Sequence, residues 1–140
     1  MASVRVLLVE DSQPWRQAIR SILQQSPDLV VIGECSDGLE AIRKSEQLQP
    51  DLVVIDIGLP SLNGLEAARR IREVAPGSKI LFLTAHIGAE FVSEALQTGA
   101  LGYVVKSNTA SDLLSAVNAV MQDQRFVSSG VIPPEPDHSS

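Results

Sequence analysis

Five times along its 140 residues the chain repeats one pair of patterns: a short apolar run, then a longer stretch with apolar residues at helical spacing. The runs are Val4-Arg5-Val6-Leu7-Leu8-Val9, Leu29-Val30-Val31-Ile32-Gly33, Leu52-Val53-Val54-Ile55-Asp56, Lys79-Ile80-Leu81-Phe82-Leu83-Thr84 and Gly102-Tyr103-Val104-Val105. Short β-branched runs of this kind, apolar without alternation, read as strands buried on both faces. The stretches between them place Trp15, Ala18, Ile19, Ile22 and Leu23, then Leu39, Ile42 and Leu48, then Leu65, Ala68 and Ile71, then Phe91, Val92, Ala95 and Leu96, and last Leu113, Leu114, Val117, Val120 and Met121 on helical faces. Strict alternation of this kind predicts an α/β fold with a parallel sheet covered by helices on both sides, its crossovers right-handed.

Punctuation falls where the pattern needs it. Asp37-Gly38-Leu39-Glu40 and Thr109-Ala110-Ser111-Asp112 each offer an N-cap acceptor with an acidic residue three positions on, and Gln49-Pro50, Ala75-Pro76-Gly77 and Thr98-Gly99 stand where helices should stop. A chain of this length with 44% hydrophobic residues supports one folded unit with a real core and is too short for two of ordinary size. That unit is expected over residues 3–127. Residues 128–140, with three prolines after Ile132, read as a flexible tail or the start of a linker.

Charge and composition remove several functions. A net charge of -6 argues against holding nucleic acid or an anionic membrane by simple attraction, so a DNA role would need a separate domain. Cys35 is the only cysteine, which excludes an internal disulfide and a cysteine-rich metal site and suits a reducing cytoplasm. No apolar segment approaches the roughly 20 residues of a membrane span.

The polar residues of interest gather at strand ends. Glu10-Asp11 follows the first strand, Asp56 closes the third, Thr84 the fourth, and Lys106 follows the fifth. In an open α/β sheet the carboxyl ends of the strands form the ligand-binding edge. Three carboxylates, a hydroxyl and an ammonium are therefore expected in one shallow cleft. Carboxylates brought together repel one another, and a hard, oxygen-seeking cation such as Mg²⁺ (or Mn²⁺) relieves that repulsion while keeping waters for an incoming phosphate. Taken singly, each residue has a plainer reading: Asp56 as a helix-capping carboxylate, Thr84 as an ordinary strand end, Lys106 as an exposed lysine. Arg69, Arg70 and Arg72 read as a solvated helix face, His86 and His138 as surface residues, and Trp15 as a core or half-buried anchor of the first helix placed close enough to the acidic loop to report on metal binding.

Val9-Glu10-Asp11, Asp56 at the end of its apolar run, Leu59-Pro60 with Asn63-Gly64 after it, Thr84-Ala85, Gly102-Tyr103 and Lys106 together resemble the response-regulator receiver family across about residues 4 to 127. The resemblance implies a doubly wound, flavodoxin-like (βα)5 fold with five parallel strands in the order 2-1-3-4-5. It implies that Asp56 accepts a phosphoryl group from a phosphohistidine on a sensor histidine kinase or phosphotransfer protein. It further implies that Asp11, Asp56 and the Gly58 carbonyl hold Mg²⁺ directly, with Glu10 acting through water, and that Lys106 and Thr84 contact phosphoryl oxygens. Thr84 and Tyr103 are implied as the switch that reshapes the face of helix four, strand five and helix five, for homodimerisation or an effector contact. The segment from Gly33 to Ala41 and the ending Val127-Ser128-Ser129-Gly130-Val131 look like regulators of transcription joined by a short linker to a LuxR-like helix-turn-helix domain. A stand-alone relay protein is the alternative.

Two positions depart from the family pattern. Ser107 stands where many members have proline in a cis peptide that aims the lysine, so either a costly cis bond is kept or Lys106 is aimed differently. Gly58, two residues past Asp56, supplies no side chain and leaves one wall of the site open. That same glycine argues against a haloacid-dehalogenase-type phosphatase, which wants an acid there. Glu10-Asp11-Ser12-Gln13-Pro14 is not the glycine-rich turn of a dinucleotide-binding module. The expectation is a phosphoacceptor signalling domain rather than an enzyme, assisting its own phosphorylation and dephosphorylation.

Overall fold

The computed structural model describes residues 3–131. Along the chain come β1 (Val4–Val9), α1 (Gln13–Leu23), β2 (Leu29–Cys35), α2 (Gly38–Leu48), β3 (Leu52–Ile55), α3 (Gly64–Val74), β4 (Lys79–Thr84), α4 (Ala89–Gln97), β5 (Gly102–Val105), α5 (Thr109–Met121) and β6 (Phe126–Val127), with a single 3₁₀ turn at Lys106–Asn108. All adjacent strand pairs are parallel, and the sheet order is β2-β1-β3-β4-β5-β6. The expected five-strand order is present, extended by a sixth strand on the β5 edge.

The strands are apolar on both sides because both sides are covered. Leu7, Val9, Val53, Ile55, Ile80, Phe82 and Tyr103 face one layer with Ala67, Ala68, Ile71 and Val92. Val6, Leu8, Leu52, Val54, Leu81, Leu83 and Val104 face the other with Ile19, Leu23, Leu113 and Val117. Burying a side chain of this size contributes about 1.5–3 kcal/mol, which is why apolar residues occupy both faces of the central strands. The sheet puts α1 and α5 on one side and α2, α3 and α4 on the other.

Three local expectations are corrected. Thr109 is not the cap of α5: the 3₁₀ turn makes Asn108 the preceding residue, Thr109 is already helical and its hydroxyl donates to the Lys106 carbonyl at 2.7 Å. Leu39 does not face the core; it is 51% exposed, and α2 buries Ala41 and Ser45 instead. The β2 run continues past Gly33 to Cys35. By contrast Asp37 does cap α2, accepting from the Glu40 amide at 2.8 Å, and Asn63 caps α3 in the same way at 3.0 Å.

Packing continues past Val127. The Ser128 amide donates to the Tyr103 carbonyl at 2.9 Å, its hydroxyl accepts from the Val105 amide and donates to Asp112, and Asn108 reaches the Ser129 carbonyl. Ser128 is buried and Val131 packs against the core. Residues 132–140 of the tail expected at 128–140, with His138, lie outside the described residues. Among the described residues no helix is long and apolar enough to cross a membrane.

Candidate functional site

β1, β3, β4 and β5 run in the same direction, so the residues that follow them meet at one edge. Their register fixes the meeting: Val9 lies beside Ile55, and Thr84 beside Val105. Glu10, Asp56 and Lys106 are each one residue beyond those positions, and Asp11 is two beyond Val9. Gly64 permits the tight approach of α3 to this edge, because a Cβ there would run into the backbone carbonyl of Asp56.

Lys106 is the centre of the charge arrangement. Its Nζ lies 2.9 Å from Asp56 Oδ2 and 2.7 Å from Glu10 Oε1, with both carboxylates nearly buried. The other Glu10 oxygen accepts from the Ser12 amide at 2.9 Å. Burial pushes the Glu10 carboxyl above its ordinary pKa, against the pull of Lys106. Burial acts in the same sense on Asp56, but hydrogen bonds from Lys106 and Thr84 outweigh it and hold that carboxyl below its usual value. The lysine itself is raised: burial opposes its charge, and the two carboxylates more than compensate. The peptide bonds among the described residues are all trans, so Lys106 reaches both acids from a 3₁₀ turn without the cis bond considered for Lys106-Ser107.

Ligand atoms of Glu10, Asp11 and Asp56 all lie within 4.8 Å of one another, and Asp11 is exposed while the other two are buried. Two of the three carboxylates share one ammonium and Asp11 has no ion pair with it, so the cluster carries net negative charge in a half-desolvated place. The donors are all hard oxygens, which fits a Mg²⁺-like cation entering from the Asp11 side.

Thr84 is fully buried, and its hydroxyl accepts from the His86 amide at 3.4 Å. The neighbouring Tyr103 is fully buried too; its hydroxyl donates to the His86 carbonyl at 2.8 Å, which ties β5 to the loop after β4. Gly58 is exposed, and a Cβ built on it would meet nothing nearer than His86 Nε2 at 3.9 Å, so the wall beside Asp56 is open apart from that imidazole. The His86 ring is stacked on Phe91 with centroids 4.3 Å apart. All the residues singled out at strand ends are thus neighbours, whereas Arg69, Arg70 and Arg72 are exposed on α3, the first two paired with Glu66.

Sequence reasoning missed three contacts: the Tyr103 bond to a loop carbonyl, the Ser128–Asp112 latch, and the Trp15 ring 5.0 Å from Lys106 Nζ. None has a sequence signal, because each joins residues far apart in the chain. A cavity of about 300 Å³ lies between β1, β2 and α5 beside Val4, Leu29 and Met121, at the opposite edge of the sheet from the acids. It has no convergent charged groups, and the chemistry belongs to the shallow acidic edge.

Comparison with known proteins agrees with this geometry. The family model for the response regulator receiver domain matches residues 6–118. Response regulator UvrY of Escherichia coli (strain K12) is 34% identical over 128 residues, covering 91% of this chain and 59% of that protein. Transcriptional regulatory protein LiaR of Bacillus subtilis (strain 168) is 33% identical, covering 91% and 61%. The chain therefore spans about three fifths of the length of these relatives. Among solved structures, a LuxR-family two-component response regulator from Aurantimonas sp. SI85-9A1 superposes with a TM-score of 0.88 at 35% identity, covering 93% of each chain. The signal receiver domain of NarL from Mycobacterium tuberculosis does so with a TM-score of 0.83 at 27% identity, covering 89% of this chain and all of that one. With its family pattern, its relatives and its strand order in agreement, the chain belongs to the response regulator receiver domain family.

Proposed function

We infer that Asp56 is the phosphoacceptor, taking a phosphoryl group from a phosphohistidine of a sensor histidine kinase or phosphotransfer protein. An Asp56 oxygen attacks phosphorus, the phosphorus–nitrogen bond of the donor breaks, and an acyl phosphate remains on Asp56. The observation that carries this reading is the Lys106 ammonium 2.9 Å from Asp56 Oδ2, with the Thr84 hydroxyl helping to keep the carboxylate ionised. An ionised carboxylate is the attacking form, and a fixed ammonium is ready to take up charge on the transferring oxygens. Asp11, Asp56 and the Gly58 carbonyl would hold Mg²⁺ directly, and Glu10 through water; the bound cation would neutralise charge on the phosphoryl group.

Thr84 and Tyr103 are the switch in this reading. A phosphoryl oxygen that accepts the Thr84 hydroxyl proton would draw that side chain toward Asp56 and lengthen the bond it accepts from the His86 amide, and Tyr103 holds the carbonyl of that same His86. A change at Thr84 is thereby passed to β5 and to the face it shares with α4 and α5. That face would serve a homodimer or an effector contact. Transcription regulation through a separate DNA-binding domain in a cytoplasmic protein is the output we propose, on the strength of the LuxR-type likeness.

The test is phosphorylation by acetyl phosphate with Mg²⁺, read by intact mass. One phosphoryl group per chain is expected for the wild type and none for Asp56→Asn. A variant Asp56→Asn that still gains the group overturns the assignment.

A further inference from the structure

We propose that Trp15 is a positioning residue for Lys106: the indole face holds the ammonium in place while its oxygen partners change as Asp56 is phosphorylated. The inference rests on the reading of Lys106 as a phosphoryl contact. It begins from how little else fixes that side chain. Lys106 stands on a short 3₁₀ turn and is followed by Ser107, an exposed residue that does not restrain it. Four methylenes separate the backbone from the charge, and each adds a rotatable bond. The ammonium donates to Asp56 Oδ2 and makes an ion pair with Glu10 Oε1, and the Trp15 ring also lies beside it, 5.0 Å from nitrogen to ring centroid. That separation is inside the range in which an ammonium is attracted to an aromatic face.

The ring is itself held. Trp15 lies in the first turn of α1, where the Ser12 hydroxyl accepts from its amide at 3.4 Å, and its side chain packs against the core layer of α1 and α5. The Ser12 amide donates to Glu10 Oε2, and Glu10 Oε1 contacts Lys106. Glu10, Ser12, Trp15 and Lys106 thus form a closed circuit joining the β1 end, the α1 start and the β5 end. The two kinds of contact in that circuit behave differently when a phosphoryl group arrives. The bond from Lys106 to Asp56 must give way to a bond to phosphoryl oxygen, so it cannot hold the lysine through the change. Attraction to a ring face depends on distance to the face and not on which oxygen the ammonium bonds, so it persists in both states.

The experiment compares the wild type with Trp15→Leu, which keeps apolar bulk and removes the ring, and Trp15→Phe, which keeps a ring face. Thermal melts select folded protein. The initial rate of phosphorylation by acetyl phosphate with Mg²⁺ should fall about threefold to tenfold in Trp15→Leu and return most of the way in Trp15→Phe. Trp15 is the only tryptophan, so its fluorescence reads the contact directly and without phosphate. Emission in the resting protein should differ between wild type and Lys106→Met. A folded Trp15→Leu with the wild-type rate, a Trp15→Phe as slow as Trp15→Leu, or identical emission with and without the lysine would each overturn the proposal. Failure of the underlying reading is distinct: it would appear as no phosphorylation of the wild type, or as phosphorylation surviving Asp56→Asn.

Discussion

β3 carries an aspartate at each end, and the two have opposite surroundings. Asp51, just before the strand, accepts from the Arg5 amide at 2.8 Å, and the cations near it are taken up elsewhere. Arg5 donates its guanidinium to the carbonyls of Leu48 and Gln49, and Lys79 pairs with Asp123 at 2.6 Å. Asp56, four strand residues later, shares one lysine with Glu10 and lies among three carboxylates. One end of the sheet settles each charge locally, against backbone or at the surface. The other concentrates like charges beyond what its own cations neutralise. A fold gains little from such crowding, so the crowded end is where a ligand is expected and the settled end is where ordinary stability is kept.

The sharpest way to break the comparison is to exchange the roles of the two aspartates. Asp56→Asn should abolish phosphorylation, whereas Asp51→Asn should be phosphorylated at the wild-type rate, since an amide oxygen still accepts from Arg5; intact mass after acetyl phosphate treatment reads both. Removing Asp11 takes away the exposed member of the acidic cluster. Mg²⁺ affinity of Asp11→Ala should fall at least about tenfold, or about 1.4 kcal/mol, by titration. An unchanged affinity would place the cation elsewhere.

A smaller effect is expected at the open wall. Hydrolysis of the acyl phosphate needs a water in line with phosphorus, and Gly58 has room for a side chain, with only the His86 imidazole opposite. Gly58→Met should lengthen the phosphorylated lifetime several-fold while phosphorylation still occurs. Equal or faster decay would sink that account, and slower decay in His86→Ala would identify the imidazole as the group orienting water. The smallest effect belongs to the settled end. Asp123 is largely exposed, so Lys79→Met should lower stability by only about 0.5 kcal/mol, or about 2 °C in Tm, and leave phosphorylation untouched.

What could be read from the sequence followed from burial and from strand direction. Strands such as Leu52–Ile55 are covered on both faces and therefore announce themselves as continuous apolar runs. Once these are parallel, Glu10, Asp56, Thr84 and Lys106 must share an edge, so the site was legible as a consequence of the fold. β6 was not. It has two residues, and Val127 is exposed, so it lacks the length and the apolar continuity that mark the others. Thr109-Ala110-Ser111-Asp112 has the spacing of a capping box, but the preceding 3₁₀ turn takes Thr109 into the helix and Ser128 takes up Asp112. Leu39 fits the periodicity of α2 yet is exposed, because the close approach of Gly38 to the Leu62 backbone fixes which side of that helix faces inward. Only for Asp112 and Leu39 did a residue distant in the chain decide the outcome.

The direction of β6 has a geometric consequence. An antiparallel sixth strand, reached by a tight hairpin from β5, would deliver the chain to the rim that holds Asp51 and Lys79. Because β6 is parallel and is reached through α5, residues 128–131 come out at the rim that holds Asp56. The rim at which we propose that the phosphoryl group arrives is also the rim at which residues 128–131 lie. Only a few bonds fasten that exit: the Ser128 amide to Tyr103, its hydroxyl between Val105 and Asp112, and Asn108 to Ser129. Every one of them ends on β5 or on the turn and helix that carry on from Lys106. A displacement of the Tyr103 backbone by a fraction of an ångström therefore reaches residue 128 through one hydrogen bond, with no helix to cross on the way.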